Sequence, residues 1–482
     1  PHASDRVAVV HNGIIENFRE LREMLRAKGH VFATETDSEV IAHLVTEELK
    51  SRNSAVDAVA AALPQLKGAF ALAFLFDGEE DLLIGARRGS PLAVGYGDGE
   101  MYLGSDALAL APFTQDVSYL DEGDWVVLTR SGAEFHDAAN ARVSRPKIRT
   151  QASAFLVDKG EHRHFMAKEI HEQPEVVGRT LAHYLDMSGG KVALPFALPF
   201  DAKALNRVTL TACGTAYYAG LIARYWFERF ARLPVDIDVA SEFRYREAPL
   251  QGDGLAIVIS QSGETADTLA SLRYAKSQRQ HILSVVNVQT STIARESELV
   301  APTLAGPEIG VASTKAFTCQ LSVLACLAIA LGRARGVLSA EDESRLVGEL
   351  IAVPGLIADA LAGEGDIEKI AHGLANAKSA LYLGRGGSFP LALEGALKLK
   401  EISYIHAEGY AAGELKHGPI ALIDEDMPVI VIAPKDPWLE KTVSNVQEVA
   451  ARGGRIVLIG DEEAETELAT ELAGSVLLKP MA

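Results

Sequence analysis

The stretch IVISQSGETADTL, residues Ile257–Leu269, decides the fold of the second half of the chain. It begins with apolar, mostly β-branched residues, passes through hydroxyl-bearing residues and a glycine, and ends in a helical pattern. Continuous apolar runs are typical of parallel strands, which are buried on both faces and need a crossover connection. The stretch therefore predicts a strand, a polar loop and a helix of a doubly wound sheet.

The same organisation recurs along the second half of the chain. The predicted strands are RVTLTA (207–212), LAIVIS (255–260), SALYLG (379–384), PVIVIA (428–433) and RIVLIG (455–460). Polar or glycine-containing loops and helical patterns follow them, as at Cys213-Gly214-Thr215 and Arg385-Gly386-Gly387-Ser388. Two such series in tandem predict two doubly wound parallel-sheet domains, at residues 195–335 and 370–482.

The first 140 residues follow another pattern. Apolar runs at 7–10, 69–76 and 82–84 are separated by glycines, which indicates a mostly antiparallel sheet. Helices are predicted at 16–28 and 38–50, and Thr36-Asp37-Ser38-Glu39 has the form of a capping box. We therefore expect an α+β domain over residues 1–140, and a linker over residues 141–194, where the sequence turns charged and irregular.

Composition narrows the function classes. The chain has 482 residues, 48% of them hydrophobic, and a formal net charge of −19. This describes a large soluble protein whose acidic surface repels nucleic acid and anionic membranes. No leader and no apolar run long enough to span a bilayer is expected.

Cysteine usage indicates a reducing compartment, so a cytoplasmic protein is expected. Cys213, Cys319 and Cys326 are the only cysteines in the sequence, too few for a disulfide framework and without the spacing of a zinc site. No metal or cofactor is predicted. Cys319 and Cys326 lie on an apolar helical pattern, where buried small hydrophobic residues are expected.

The loop within the opening stretch carries candidate phosphate ligands. Ser260, Ser262 and Thr265 lie where a parallel strand gives way to a helix, and Gly263 allows close approach of a ligand. No GxxxxGK[ST] or GxGxxG motif occurs there, so a monophosphate ester suits the site better than a nucleotide. The alternative is that these hydroxyls cap the helix.

A second set consists of Glu394, Lys398 and Glu401. Their spacing places them on one face of a helix. They are either a surface salt bridge or, if partly buried, a site where a carboxylate moves a proton between adjacent carbons of a sugar. His417 follows in a loop, where it is either solvent-facing or able to open a sugar ring by acid–base transfer.

Two further stretches have alternative readings. Asn12-Gly13 is a turn signal or an oxyanion hole for acyl transfer, and Asp37 serves a helix N-terminus or binds a substrate ammonium group. Residues 308–318, EIGVASTKAFT, suit a loop that crosses close to a ligand, although Ser313 and Lys315 equally suit a helix cap and its first turn.

Seven motifs occur in an order that resembles the glutamine:fructose-6-phosphate aminotransferase (isomerising) family. They are VVHNGIIENF, ETDSEVIAHLV, ACGTAYYAG, SQSGETADTL, EIGVASTKAFT, ALEGALKLKEISYIHAE and GELKHGP. The resemblance implies a class II glutamine amidotransferase domain of the αββα, N-terminal nucleophile hydrolase type, followed by two sugar-isomerase (SIS) domains. It implies L-glutamine and D-fructose 6-phosphate as substrates, D-glucosamine 6-phosphate as product, entry to the hexosamine pathway, and a homodimer.

The resemblance also implies roles for single residues. Asn12 and Gly13 resemble the oxyanion hole, and Asp37 resembles a glutamine-binding residue. The implied phosphate ligands are Ser260, Gln261, Ser262 and Thr265, with Thr215, Val311 and Ser313 nearby. Glu394 resembles the residue that shuttles the C1/C2 proton, with Lys398 and Glu401 as companions, and His417 resembles the ring-opening histidine contributed across the dimer.

The sequence departs from the family pattern at both ends. No cysteine precedes Cys213, and the sequence ends at Met481-Ala482, so the family's nucleophilic cysteine and Schiff-base lysine are not in it. We expect an interior portion of the enzyme without glutaminase activity. Ala216 stands where many relatives have serine.

Three other functions stay open at this point. A phosphosugar isomerase or deaminase would have the tandem domains but not the leading HNG and ETDSE motifs. A sugar-phosphate-sensing regulator would need a basic helix-turn-helix, which the sequence does not contain. A catalytically dead sugar-phosphate-binding module is the third.

Overall fold

The computed structural model describes residues 1–150, 159–468 and 472–479. The chain forms two compact units, Pro1–Asp158 and Lys159–Ala482. Residues 151–158 of the predicted linker and the C-terminal limit of the second predicted parallel-sheet domain lie outside the described residues.

The first unit contains eleven strands and four helices among its described residues. The strands are β1 (His2–Ser4), β2 (Val7–Ile15), β3 (Gly68–Phe76), β4 (Leu83–Arg88), β5 (Ala93–Tyr96), β6 (Met101–Gly104), β7 (Asp116–Tyr119), β8 (Trp125–Thr129), β9 (Gly132–His136), β10 (Arg142–Val143) and β11 (Ile148–Arg149). The helices are α1 (Phe18–Ala27), α2 (Asp37–Leu49), α3 (Ala55–Ala62) and α4 (Ala107–Leu110).

These strands form two antiparallel sheets, in the orders β1-β2-β3-β4-β8-β9-β10 and β11-β7-β5-β6. Helices α1–α3 pack on one face of the larger sheet through a core that includes Val40 and Phe74. The other face packs on the smaller sheet through residues such as Val94 and Val126. The single turn of α4 adds Leu110 to the outer side of the smaller sheet. The layers are thus helix, sheet, sheet and helix, and the predicted antiparallel character is confirmed.

The predicted capping box at Thr36 is wrong in its hydrogen bonds. Thr36 is the N-cap of α2, but its side chain makes no capping bond. The Glu39 carboxylate accepts hydrogen bonds from the backbone N–H groups of Ala33 (2.7 Å) and Thr34 (2.8 Å), which lie before the N-cap. Glu39 therefore fixes the residues that lead into the helix, through hydrogen bonds to positions five and six before it that the four-residue motif does not include.

The described residues of the second unit form two parallel sheets and one antiparallel hairpin. Its strands are β12 (Leu185–Asp186), β13 (Lys191–Val192), β14 (Val208–Ala212), β15 (Val235–Val239), β16 (Leu255–Ser260), β17 (His281–Val286), β18 (Leu299–Pro302), β19 (Ser379–Gly384), β20 (His406–Ala411), β21 (Pro428–Ala433), β22 (Arg455–Gly460) and β23 (Gly474–Leu477). Its helices are α5 (Phe165–His171), α6 (Gln173–Tyr184), α7 (Gly214–Trp226), α8 (Ala240–Arg246), α9 (Ala266–Ser277), α10 (Thr292–Glu296), α11 (Lys315–Arg335), α12 (Ala340–Ala362), α13 (Glu364–Leu374), α14 (Ser388–Ser403), α15 (Leu439–Ala450) and α16 (Glu462–Leu468).

The two parallel sheets have the same topology. The first parallel sheet has the order β15-β14-β16-β17-β18, and the second has the order β20-β19-β21-β22-β23. In each sheet, the first strand in the chain, β14 or β19, lies between the second and the third strands. The direction in which successive strands are added therefore reverses at β14 and at β19. Ligands of open α/β sheets collect at such a switch point, at the carboxyl ends of the strands. The predicted tandem of doubly wound domains is confirmed.

Regular structure also occurs inside the predicted linker. Helices α5 and α6 and the hairpin β12–β13 belong to residues 159–194, and Val177 and Tyr184 of α6 are fully buried in the core of the first parallel sheet. The domain limits drawn from the sequence stay a prediction. This segment is the part of the second unit that precedes its first parallel strand.

Helix α11 is the core helix of the first parallel sheet. It is long and apolar enough to cross a membrane by composition, contrary to the expectation from the sequence, but 83% of its most apolar 18-residue stretch is buried inside the protein. Cys319 and Cys326 are fully buried on it, as predicted. Burial raises the pKa of these thiols to about 11 and about 12, so both stay protonated near neutral pH.

Candidate functional site

The predicted phosphate ligands lie at the carboxyl edge of the first parallel sheet. Strands β14 and β16 are hydrogen-bonded neighbours, and each is followed by a polar loop and a helix. Thr215 is the second residue of α7, Ser260 ends β16, and Thr265 is the N-cap of α9. The N-termini of two helices, with their unpaired N–H groups and positive dipole ends, therefore lie side by side at this edge.

Within the loop of the opening stretch, the hydroxyls have different environments. Ser260 is buried, and its Oγ lies 3.0 Å from Thr265 Oγ1 and accepts a 3.0 Å hydrogen bond from Gly263 N. Ser262 is exposed, and its Oγ accepts a 3.2 Å hydrogen bond from Glu264 N. Ser260 thus shapes the loop from inside, whereas Ser262 faces solvent, where a ligand can reach it.

The capping alternative for these hydroxyls is wrong. Thr265 occupies the N-cap position of α9, but its side chain makes no capping bond. Its hydroxyl is directed at Ser260 instead. Gln261 follows the strand and its backbone carbonyl accepts a 3.2 Å hydrogen bond from Asn287 N, which connects the loop to the end of β17.

Gly263 is required by the backbone of this loop. Its φ is +67°, and a Cβ placed on it would lie 1.9 Å from the Oγ of the buried Ser291. Because both the dihedral angle and the space exclude a side chain, the glycine allows the loop to turn tightly against α10.

A hydrogen bond brings the second predicted set to this edge. Thr215 Oγ1 donates to Glu394 Oε1 over 3.0 Å, and Lys398 Nζ lies 3.5 Å from Glu394 Oε1 and 2.5 Å from Glu401 Oε2. Glu394 is 6% exposed, so the alternative of an ordinary surface salt bridge is wrong for it. The two parallel-sheet halves meet at this cluster, which joins α7 to α14.

Burial raises the pKa of Glu394 to about 7, while Lys398 and the hydrogen bond from Thr215 oppose the rise. Its second oxygen, Oε2, is buried without a hydrogen-bond partner among the described residues. A carboxyl group that titrates near neutral pH can both accept and return a proton.

Tyr218 is a member of the cluster that the sequence reasoning missed. It lies on α7 one turn after Thr215 and is half-buried. Burial raises the pKa of its phenol, and the charges of Glu394 and Glu401 raise it further. The sequence contains a signal for Tyr218, because residues three apart, such as Thr215 and Tyr218, share a helix face.

The predicted ligand-crossing loop lies between β18 and α11. Val311 is 98% exposed. Ser313 Oγ donates a 2.8 Å hydrogen bond to Glu308, whose carboxylate also accepts the N–H groups of Thr314 (2.9 Å) and Ala316 (3.1 Å). Glu308, not Ser313, accepts the free backbone N–H groups at the start of α11, so the interpretation of Ser313 as a helix cap is wrong.

His417 is exposed at the end of a 3₁₀ turn, residues 412–417. Among the described residues, its side chain makes no hydrogen bond or ion pair, including with Glu394 or Lys398. Exposed apolar side chains occur in the same half of the unit, at Tyr404 (92%) and Leu422 (53%).

The candidate oxyanion residues of the first unit lie within a strand. Asn12 and Gly13 belong to β2 and pair with Ala71 and Phe70 of β3, so the turn reading is wrong. Gly13 has φ +138°, and a Cβ on it would lie 2.1 Å from Ala69 O. The glycine is needed because the neighbouring strand backbone is too close for a side chain.

Asp37 lies beside this strand at the first position of α2. Its Oδ2 accepts a 2.8 Å hydrogen bond from Ile15 N. His11 Nδ1 lies 2.8 Å from Ser38 Oγ, and burial lowers the pKa of His11 while the charge of Asp37 opposes that effect. Strand β2 and the N-terminus of α2 thus bring Asn12, Gly13 and Asp37 into one part of the unit.

Two surface cavities of the second unit do not contain these residues. One, of about 320 Å³, is lined by Arg207, Thr209, Arg224, Val235, Asp236, Ile237, Phe243, Arg246, Ala248, Pro249 and Leu250. The other, of about 240 Å³, is lined by Pro199, Phe200, Asp201, Ala204, Leu205, Asp253 and His281. In the part of the chain that the structure describes, no group of three or more His, Cys, Asp or Glu side chains is placed to hold a metal ion.

Comparisons with known families match both units. A family model described as "SIS domain" matches residues 203–330 and 373–471, and one described as "Glutamine amidotransferase domain" matches residues 1–112. The first covers the first parallel sheet and four of the five strands of the second, and the second covers most of the antiparallel unit.

Curated relatives are similar over the full length of the chain. A glutamine–fructose-6-phosphate aminotransferase [isomerizing] of Bradyrhizobium diazoefficiens is 67% identical over 482 residues, which are 100% of this chain and 79% of the relative. One from Brucella suis is 64% identical over 478 residues, covering 99% of this chain and 79% of the relative.

A solved structure is similar to the second unit. The C-terminal domain of glucosamine-fructose-6-phosphate aminotransferase from Francisella tularensis is 42% identical, with a TM-score of 0.65 over 67% of this chain and 91% of that one. Glucosamine-6-phosphate deaminase from Thermotoga maritima is 24% identical with a TM-score of 0.51, over 64% of this chain and 90% of that one, which shows a shared fold alone.

Proposed function

The chain belongs to the glutamine–fructose-6-phosphate aminotransferase (isomerizing) family, and from this membership we propose which of its residues carry the reaction. The chain is an aminotransferase of this family, whose reaction transfers the amide nitrogen of L-glutamine to D-fructose 6-phosphate and isomerises the product to D-glucosamine 6-phosphate, the first step of the hexosamine pathway. The observation that carries the assignment of the sugar site is the Thr215–Glu394 hydrogen bond, which joins candidate residues of the two SIS domains.

Ser260, Gln261, Ser262 and Thr265 hold the sugar phosphate in this proposal. Hydroxyls and the N-terminus of α9 offer hydrogen-bond donors and a positive dipole end to a doubly charged ester. Val311 and Ser313 approach from the loop after β18, and Thr215 from the start of α7. The acidic net charge of −19 makes such a local set of donors necessary, because the surface as a whole repels anions.

The carboxylates bridged by Lys398 move the proton between C1 and C2. One carboxylate takes the proton from one carbon and returns it to the other, so no net proton is consumed. The pKa of Glu394, raised to about 7, supports its assignment as the shuttle. Glu401 is the second candidate, because its side chain is 33% exposed against 8% for Glu394 and is easier for a substrate to reach.

In the glutaminase unit, Asn12 and the Gly13 N–H stabilise the negative charge that develops on the glutamine amide. Asp37 binds the glutamine ammonium group. The support for this assignment is positional, because β2 and the N-terminus of α2 bring the three residues together.

A homodimer supplies His417 in trans. The exposed position of His417 and the exposed Tyr404 and Leu422 support contact with a second copy. Its imidazole opens the sugar ring by acid–base transfer. A cytoplasmic location follows from the three free cysteines and the soluble fold.

The function is tested by two measurements. Calorimetry with fructose 6-phosphate measures sugar binding by this chain, and the complete gene product is assayed for glucosamine 6-phosphate with glutamine and then with ammonia as donor. Product from both donors is expected. A simple isomerase or deaminase would not use glutamine, and a dead module would bind the sugar without any turnover.

The trans contribution of His417 is tested by subunit complementation. Mixed dimers of His417→Ala with Glu394→Gln should recover about a quarter to a half of wild-type activity, because one intact composite site forms per mixed dimer. If mixing restores no activity, His417 does not act across the interface.

A further inference from the structure

The loop between β18 and α11 is fastened by side chains from the first two helices of the second unit. From α6, Tyr184 Oη donates a 2.8 Å hydrogen bond to Pro302 O, and Arg179 Nη2 donates a 3.1 Å bond to Leu304 O. Thr180 Oγ1 donates to Thr303 O. These contacts fix the beginning of the loop.

Glu169 of α5 fixes the middle of the loop. Its Oε1 accepts hydrogen bonds from Ile309 N (2.5 Å) and Gly310 N (3.0 Å). Glu169 is only 2% exposed. Burying a carboxylate is costly unless it is hydrogen-bonded. The two loop N–H groups supply that stabilisation and lower the pKa of Glu169, although burial raises it overall.

The contact requires glycine at position 310. A Cβ there would lie 2.5 Å from Glu169 Oε2 and 3.3 Å from Met166 Cα. Any larger residue would therefore push the loop away from α5. Glu169 and Gly310 are complementary in space, which indicates that the position of the loop relative to α5 is narrowly set.

A second carboxylate holds the end of the loop. Lys315, the first residue of α11, is 3% exposed, and its Nζ lies 2.6 Å from Glu172 Oε2. Glu172 directly follows α5. Between the contacts of Glu169 and Glu172 lie Val311 and Ser313, the two loop residues assigned to the sugar.

We propose that Glu169 is a positioning residue of the sugar site, which holds Ile309 and Gly310 so that Val311 and Ser313 are presented to fructose 6-phosphate. The inference rests on the proposed role of this loop in sugar binding. Glu169 itself does not touch substrate. It lies on the first helix after the boundary between the two units.

Glu169→Gln tests the proposal, with Glu341→Gln as the matched control. The control makes the same chemical change on α12, where Glu341 is exposed and its side chain makes no hydrogen bond or ion pair among the described residues. For Glu169→Gln we expect about tenfold weaker fructose 6-phosphate binding by calorimetry, because charge-assisted bonds to the loop are lost. In the complete gene product, KM for the sugar should rise while kcat stays within about twofold.

Hydrogen exchange gives a second readout. The Ile309 and Gly310 amides should exchange about tenfold faster in Glu169→Gln, since their acceptor is weakened, and saturating fructose 6-phosphate should restore protection. Equal sugar affinity and equal exchange in the Glu169 and Glu341 variants would overturn the proposal. If kcat falls and KM does not, Glu169 acts in another way and the proposal is also wrong.

Gly310→Ala keeps the test valid if Glu169→Gln does not fold. It displaces the same contact from the loop side and should weaken sugar binding by at least a similar factor. Normal binding by Gly310→Ala would contradict the proposal. If the wild-type chain binds no fructose 6-phosphate, the function proposed for the loop fails, whereas the exchange rates still report whether Glu169 holds Ile309 and Gly310.

Discussion

Thr215 Oγ1 donates a 3.0 Å hydrogen bond to Glu394 Oε1, although the two residues are 179 positions apart in the chain. Thr215 lies in the first turn of α7 in one SIS domain, and Glu394 lies on α14 in the other. The bond therefore connects the predicted phosphate ligands with the predicted proton-transfer group. It also means that substitutions at either residue are expected to affect both functions.

Removing the Thr215 hydroxyl should change the titration of Glu394. The hydrogen bond from Thr215 lowers the pKa of Glu394. Thr215→Val should therefore move the acid limb of the pH–rate profile, where Glu394 loses its proton, to higher pH by about half a unit to one unit. Thr215→Ser retains the hydroxyl and is the control. Superimposable profiles for the two variants would show that the bond does not influence the catalytic carboxylate.

Glu394 should make the folded chain less stable as the pH rises. Its folded pKa is about 7, above the ordinary value of 4.5, so the folded state binds more protons than the unfolded state between these values. Protonated Glu394 adds at most about 3 kcal/mol to the free energy of unfolding. This contribution is full below the unfolded-state pKa and is lost as the pH rises through the folded-state pKa. Urea unfolding at about pH 5 and about pH 8 should show a smaller difference for Glu394→Gln than for wild type; an unchanged difference would contradict the shift.

The two carboxylates beside Lys398 should both be needed for turnover. Glu394→Gln and Glu401→Gln are each expected to lower kcat by about 10²-fold or more with little change in KM, because proton transfer needs a carboxylate that the amide cannot replace. If Glu394 or Glu401 is the residue that carries the proton, its Gln variant should also lack the acid limb of the pH–rate profile. Wild-type kcat in either variant would exclude that residue from the proton transfer.

Ser262→Ala should weaken fructose 6-phosphate binding by about tenfold, since one hydrogen bond to a charged phosphate is lost. Calorimetry measures the affinity directly. The control is Ser277→Ala at the far end of α9, an exposed serine whose Oγ donates only to Tyr274 O among the described residues. Equal affinities in the two variants would remove Ser262 from the phosphate site.

Gly263→Ala should destabilise the fold more than Gly214→Ala. Both glycines have positive φ, +67° and +55°, and each alanine should cost about 1–2 kcal/mol for the left-handed backbone. At Gly263 the new Cβ also meets Ser291 Oγ at 1.9 Å, whereas at Gly214 nothing lies within 4 Å. Thermal or urea unfolding should rank the variants in this order, and equal stabilities would show that the loop relaxes freely.

Local pattern was sufficient for the strands that are continuous apolar runs and for the helices that follow them. LAIVIS, SALYLG and PVIVIA coincide with β16, β19 and β21, because runs that are buried on both faces are apolar throughout. The helices predicted at 16–28 and 38–50 are Phe18–Ala27 and Asp37–Leu49. Hydrogen-bond partners were not predictable in the same way, as the unused capping box at Thr36 and the capping role of Glu308 show.

The sequence by itself determined the family, the two parallel-sheet series, and the residue types available for phosphate binding and proton transfer, because these depend on periodicity and on motifs within a few residues. Tertiary structure alone decided that Thr215 meets Glu394, that burial raises the pKa of Glu394, and that Glu169 holds the loop carrying Ser313. These contacts join residues more than a hundred positions apart. They depend on packing between elements, which no local pattern encodes.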